Sequence, residues 1–253
     1  MDVGDRVRTG VVLPGIPIGT IGRVKEVGRL FIVVRFEDGR QAYYARHQLT
    51  AAAEEDPREE EAGEAVGGLG FGDTSVPYGT HMCLLPSARG EAMEAIARYV
   101  AAGLHAGDTC ICALPAGWHS AFHRSVRLLG ANVYRAVAGQ KLRVASTADV
   151  YLRPSRFSAE KQLARSAAYL ANRAEGHVGG LRACGYASKH LYGTHGWWEY
   201  ERRVTPILKA GGVLCLCGYD PAGHNSTAWE RAAALHEYVA RDMQVLPGGL
   251  TAP

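Results

Sequence analysis

The sequence predicts an α/β protein with two folded parts, a three-layer domain with a mostly parallel sheet preceded by a small β-barrel. Three observations predict it. Residues 3–50 are dense in glycine and β-branched residues in short strand-like runs, and a polar acidic stretch follows. From residue 76 onward, short apolar runs alternate with segments whose apolar residues recur at helical spacing. With 253 residues and 47% hydrophobic content, the chain has enough apolar material for a medium domain plus a small one.

The N-terminal runs are Gly4-Asp5-Arg6-Val7-Arg8, then Gly19-Thr20-Ile21-Gly22-Arg23-Val24, then Leu30 to Phe36. Glu37-Asp38-Gly39-Arg40 is a hairpin-turn signal between two of the strands. Short strands packed into residues 1–50 predict a small barrel, and their order resembles SH3-like modules. Such a module serves either as a folding or docking appendage or as a partner-binding domain. Residues 51–74 change to Ala, Glu and Gly around the acidic block Glu54 to Glu61. So few apolar side chains do not offset the entropy of ordering, and a flexible acidic linker is expected there. Residues 75–253 then form the α/β domain.

That domain opens at Val76 to Pro86, a short apolar run closed by Pro86-Ser87-Ala88-Arg89-Gly90. Strand periodicity puts His81 and Cys83 on one face. Met93, Ile96, Val100 and Leu104 form a stripe that predicts a helix over 91–104, and Thr109 to Pro115 reads as a strand buried on both faces. A helix over 120–129 follows, with strands or strand ends at Asn132 to Val137 and at Tyr151-Leu152. Ser158 caps a long helix to residue 175. Leu181 to Tyr186 is a strand, Trp197 to Ala210 a helix, Gly212 to Asp220 a buried strand, Trp229 to Arg241 a helix, and Gln244 to Leu246 an edge strand.

Charge and composition exclude several classes. A net charge of +3, with basic residues scattered among 25 acidic ones, gives no footprint for nucleic acid. No apolar run approaches the roughly 18 residues that span a bilayer, so no membrane partner is expected. Without a charged-then-apolar N-terminal signal pattern, a cytoplasmic location is expected. There the six cysteines stay reduced, as packing or as ligands. No phosphate-binding loop is present: none of Lys25, Lys141, Lys161, Lys189 and Lys209 follows a glycine.

Several motifs then point to one family. Gly79-Thr80-His81-Met82-Cys83, Tyr151-Leu152 with Arg156-Phe157, Gly180-Leu181-Arg182, Tyr200-Glu201, Leu214 to Asp220 and the late His236 occur in this order. Residues 76–248 thereby resemble the MEDS domain, a sensory module of methanogen and methylotroph regulators. The resemblance implies a RecA-like fold without ATPase chemistry that senses hydrocarbon derivatives. It implies ligand-binding roles for His81, Cys83, Tyr151, Arg182, Tyr200, Glu201, Tyr219 and Asp220, and Trp198 is counted with them as a member of a nearby aromatic cluster.

The residues themselves leave two chemistries open. Trp197, Trp198, Tyr200 and Tyr192 form either core packing or the wall of an apolar pocket. Glu201 is either a pocket carboxylate or a residue favouring the helix dipole. His81, Cys83, Cys215 and Cys217 are either packing residues or ligands to zinc, copper or haem. No local triad requires an enzyme. The expected function is therefore a sensory protein that binds a small, mostly apolar molecule and signals through an output protein partner, with no cofactor required and oligomeric state left open. The alternative is a metal- or haem-binding sensor or enzyme built on His81 and the nearby cysteines.

Overall fold

The computed structural model describes residues 2–9, 21–27, 32–36, 39–44, 49–51, 65–72, 74–152, 156–173, 179–223 and 226–249. The chain divides between Gly63 and Glu64 into two compact units. In the first, strands β1 (Arg6–Thr9), β2 (Ile21–Val27), β3 (Ile32–Arg35), β4 (Gln41–Tyr44) and β5 (Leu49–Ala51) form an antiparallel sheet of order β4-β3-β2-β1-β5. Val7, Val24, Ile32, Val34, Phe36, Ala42, Tyr44 and Leu49 are its core. The hairpin expected at residues 37–40 joins β3 to β4, where the Gly39 amide donates to the Phe36 carbonyl; Glu37 and Asp38 lie outside the described residues.

Residues 65–72, read from composition as linker, belong to the second unit. β6 (Val66–Gly68) pairs antiparallel with β7 (Ser75–Pro77), and Leu69 and Phe71 are buried in the domain core. Two isolated apolar side chains in a Gly-rich stretch escape a composition argument, yet each fills a core position. Residues 52–64, including the acidic block, lie outside the described residues. A chain lacking residues 1–63 should still unfold cooperatively. Extending the cut to residue 72 also removes Leu69 and Phe71, at a cost of several kcal/mol, which urea unfolding of the two truncations would measure.

The main sheet has seven strands: β8 (His81–Leu84), β9 (Thr109–Leu114), β10 (Leu142–Ser146), β11 (Leu181–Ala187), β12 (Val213–Tyr219), β13 (Tyr238–Arg241) and β14 (Gln244–Pro247). Their order is β10-β9-β11-β12-β8-β13-β14, parallel throughout except for the terminal β13–β14 pair. One face packs on α1 (Arg89–His105), α2 (His119–Leu128) and α3 (Val133–Ala138), through Ile96, Tyr99, Val100, Phe122 and Val126 against Met82, Leu84, Cys112 and Leu216. The other packs on α5 (Ala159–Arg173), α6 (Lys189–Tyr192), α7 (Trp197–Ala210) and α8 (Ser226–Ala234), through Leu163, Leu191, Val204 and Ala232 against Cys83, Val213 and Cys215. This is the expected three-layer α/β architecture.

Three elements differ from the sequence reading. Val133 to Ala138 is a helix rather than a strand, because the Asn132 side chain caps it by accepting from the Arg135 amide, a local bond that outweighs the β-preference of Val and Tyr. The strand lies later, at β10, which composition had not singled out. Tyr151 ends a short helix, α4 (Thr147–Tyr151), capped by Ser146. The helix expected over 229–241 stops at Ala234, and Tyr238–Arg241 becomes β13 beside β8, because that register gives the sheet a parallel neighbour.

Candidate functional site

The site lies on the face of the sheet covered by α7 and α8. Parallel register pairs His81 with Cys215 and Cys83 with Cys217, so the shared face predicted for His81 and Cys83 extends across β12. Gly196 takes a left-handed φ of 86° and starts α7 at the angle that lays it on this face. Trp197, Tyr200, Glu201, Val204 and Leu208 are the buried residues of α7, spaced as one stripe. Glu201 therefore occupies a core position of its helix. The bend between α8 and β13 supplies His236, which is fully buried.

One ligand-type atom from each of His81, Glu201, Cys217 and His236 lies within 4.8 Å of the others. His81 Nε2 is 3.3 Å from Cys217 Sγ and 3.4 Å from Glu201 Oε2, and His236 Nε2 is 3.6 Å from the same oxygen. The imidazoles lie 4.1 Å apart between centroids. His81 Nδ1 meets the Thr205 hydroxyl at 2.9 Å, and His236 Nδ1 donates to the Ala232 carbonyl at 2.7 Å. Neither Glu201 oxygen nor His236 Nε2 has a hydrogen-bond partner among the described residues. Burial, aided by His236, lowers His81 to about 4 against the opposing pull of Glu201, so this imidazole is neutral at neutral pH. For Glu201, burial pushes the carboxyl up, while hydrogen bonding and charge from His236 and His81 pull it down to about 2; that pull requires a proton, or another cation, at the imidazole Nε2 atoms. The Cys217 thiol is pushed well up by its contact with Cys215 and by burial.

Aromatic rings enclose this centre. Tyr219 meets His236 edge-on at 6.1 Å, and Trp198 stacks on Tyr219 at 5.8 Å with an 11° tilt. Tyr151, Trp197, Phe157 and Tyr200 pack in T-shaped and tilted contacts at 5.2–6.3 Å. Burial, followed by the Glu201 charge, pushes the Tyr200 and Tyr219 phenols well up, so both remain neutral. Trp197 and Tyr200 are buried, whereas Trp198 is partly exposed.

The structure thus gathers His81, Glu201, Tyr200, Tyr219, Trp198 and Tyr151 on one face. Cys83 and Cys215 share it but lie outside the four-atom group, while Cys217 belongs to it. Asp220 sits at the end of β12, where it accepts from Arg89 at 2.9 Å and ties that strand to the start of α1. Arg182 points to the opposite layer. There its Nε donates to Asp108 at 2.7 Å and its Nη1 to the Gly68 carbonyl, while the guanidinium lies 5.2 Å over the Tyr99 ring. Gly103 makes room for it: a Cβ on this residue would come within 2.5 Å of Arg182 Cδ. His236 and Thr205 were not among the site residues expected from sequence. A carboxylate inside an apolar helical stripe, with a hydroxyl four residues on, is the signal available for Glu201 and Thr205.

Tyr78 donates to Asp108 at 2.6 Å in the Arg182 network, and burial together with that bond pushes its phenol up to about 12. Below the ordinary value of 10 both folded and unfolded chains keep this proton; between about 10 and 12 only the unfolded chain loses it. Stability should therefore fall as pH rises through that window. Tyr78 is partly exposed, so the contribution is discounted to about 1 kcal/mol. Urea unfolding of wild type and Tyr78→Phe at pH 9 and 11 measures it, the variant lacking this part of the slope.

The model of the MEDS family (MEthanogen/methylotroph, DcmR Sensory domain) matches residues 80–237, more than half of the chain. The chain belongs to this family of sensory domains. Among solved structures, the chain is similar to a KaiC-like protein from the hyperthermophilic archaeon Pyrococcus horikoshii OT3, at 13% identity over 67% of this chain and 76% of that one, with a TM-score of 0.45. A comparison with curated proteins found no match. Among the described residues, no helix is long and apolar enough to cross a membrane.

Proposed function

We propose that the chain is a cytoplasmic sensor in which a small, mostly apolar molecule is received by the aromatic wall beside the His81–Glu201–His236–Cys217 centre, and that the bound state is read by a partner protein. One observation carries this reading: buried polar atoms without hydrogen-bond partners lie behind the stack of buried Tyr219 on partly exposed Trp198. Ligand sites combine largely apolar walls with a few convergent polar groups, and this centre has that composition. Membership in a sensory family supports binding with signalling as the task. A partner protein that reads the bound state is the output that a sensory role calls for.

The test is the melting temperature of the full chain with a panel of short haloalkanes, alcohols and aromatics. A ligand that binds only the folded state raises it by mass action, by a few degrees at saturating concentration. Trp198→Ala should reduce that shift while the protein stays folded. A panel in which no class moves the melting temperature counts against the reading.

A further inference from the structure

The four polar groups beneath β8 and β12 satisfy one another only in part: Cys217 Sγ meets His81 Nε2 at 3.3 Å, while both Glu201 oxygens and His236 Nε2 have no partner among the described residues. The Ala232 carbonyl is an acceptor only, so His236 Nδ1 carries the ring proton and Nε2 presents a lone pair. The Thr205 hydroxyl lies 3.2 Å from the Glu201 carbonyl, to which it donates, and so it accepts from His81 Nδ1. His81 therefore takes the same tautomer, and its Nε2 lone pair also points inward. Both lone pairs face Glu201 Oε2, and Cys217 Sγ closes the group. Acceptors gathered in a buried place cost free energy unless a cation lies among them.

The spacing matches one kind of cation. A tetrahedral ion with bonds of about 2.0–2.3 Å holds its ligand atoms about 3.3–3.7 Å apart. Three of the six edges here are 3.3, 3.4 and 3.6 Å, and all lie within 4.8 Å. Each imidazole has its opposite N–H held by a hydroxyl or a carbonyl, the support that fixes tautomer and ring orientation in metal-bound histidines. We propose that His81 Nε2, His236 Nε2, one Glu201 carboxylate oxygen and Cys217 Sγ form a site for a divalent transition metal, zinc.

The donor set selects the ion. Magnesium and calcium take oxygen ligands, and copper(I) favours thiolate and thioether over carboxylate. Zinc accepts two nitrogens, one oxygen and one sulfur in a tetrahedron. Binding forms the zinc–sulfur bond as the Cys217 thiol releases its proton to solvent. One carboxylate and one thiolate then neutralise the divalent charge, which suits a buried centre. The assignment does not depend on the small-molecule reading above. It stands if the ligand panel fails, and it falls on metal measurements alone.

The experiment uses the full chain purified without chelator. About one zinc per chain is expected by elemental analysis. Stripping with a chelator should lower the melting temperature, and added zinc should restore it. Cobalt(II) loaded into the stripped protein should show a thiolate-to-cobalt charge-transfer band in the near ultraviolet. Cys217→Ser, which keeps the side-chain size, should lose that band. Glu201→Gln and His236→Ala should bring bound zinc below about a tenth of an equivalent. Should either variant fail to fold, the stripped wild-type protein and Cys217→Ser still decide the question. A stripped protein whose melting temperature does not respond to zinc overturns the site, leaving a histidine–carboxylate pair that shares a proton. A cobalt band unchanged in Cys217→Ser overturns the ligand assignment.

Discussion

Asp108→Ala is expected to destabilise the second unit by about 3–5 kcal/mol, a large part of the stability of a typical domain. Asp108 and Arg182 are both buried, and the carboxylate accepts from Arg182 Nε at 2.7 Å, from the Tyr78 hydroxyl at 2.6 Å and from the Gly180 amide at 3.0 Å. Removing it strands a guanidinium that cannot lose its proton, along with two donors. The remaining Arg182 bonds, to the Gly68 and Tyr99 carbonyls, carry no opposing full charge. Adding Arg182→Met to Asp108→Ala should recover part of the loss, since the double variant buries no unpaired charge. Urea midpoints of the two variants check this. A single-variant cost under about 1 kcal/mol would show that water reaches the guanidinium and that the network is not closed.

The second large effect separates the aromatic residues by role. Trp197→Ala should cost about 3–5 kcal/mol, because the indole is 2% exposed and packs at 5.2–5.6 Å on Phe157, Tyr151 and Tyr200, leaving a cavity that the sheet behind cannot collapse to fill. Trp198→Ala should cost only about 1 kcal/mol, since that ring is partly exposed and meets the stack on Tyr219, a tilted contact with Tyr192 at 6.2 Å and the Arg231 guanidinium at 5.5 Å. The neighbouring tryptophans differ because one side of α7 faces the sheet and the other its margin. Equal losses in thermal or urea unfolding would remove the distinction between core and wall on which the ligand reading depends.

Much of the domain was legible in the chain. Residues 197–210 show helical spacing and 109–114 and 213–219 are continuous apolar runs, and each forms the element that this pattern predicts. The missed elements share a cause. β10 is a five-residue strand in which buried Leu142 and half-buried Val144 and Ser146 alternate with exposed Arg143 and Ala145, too short an alternation with too few apolar residues to stand out, and α3 depends on the Asn132 cap more than on its own propensities. His236 was legible as a motif residue but not as a site residue, because a helical stripe is read through it, whereas pairing with β8 turns the chain into β13 just beyond.

The chain by itself determined which residues share a face. Strand period two aligns His81 with Cys83 and Cys215 with Cys217, and helical period places Glu201 on the stripe of Trp197, Val204 and Leu208. Only the tertiary structure decided which faces meet. It set β8 between β12 and β13, brought Cys217 and His236 to His81 from either side, and sent Arg182 into the opposite layer. The physical reason is that periodicity is a property of local backbone geometry, whereas strand order comes from long-range pairing and the burial of both faces at once. No short window of the chain encodes that balance.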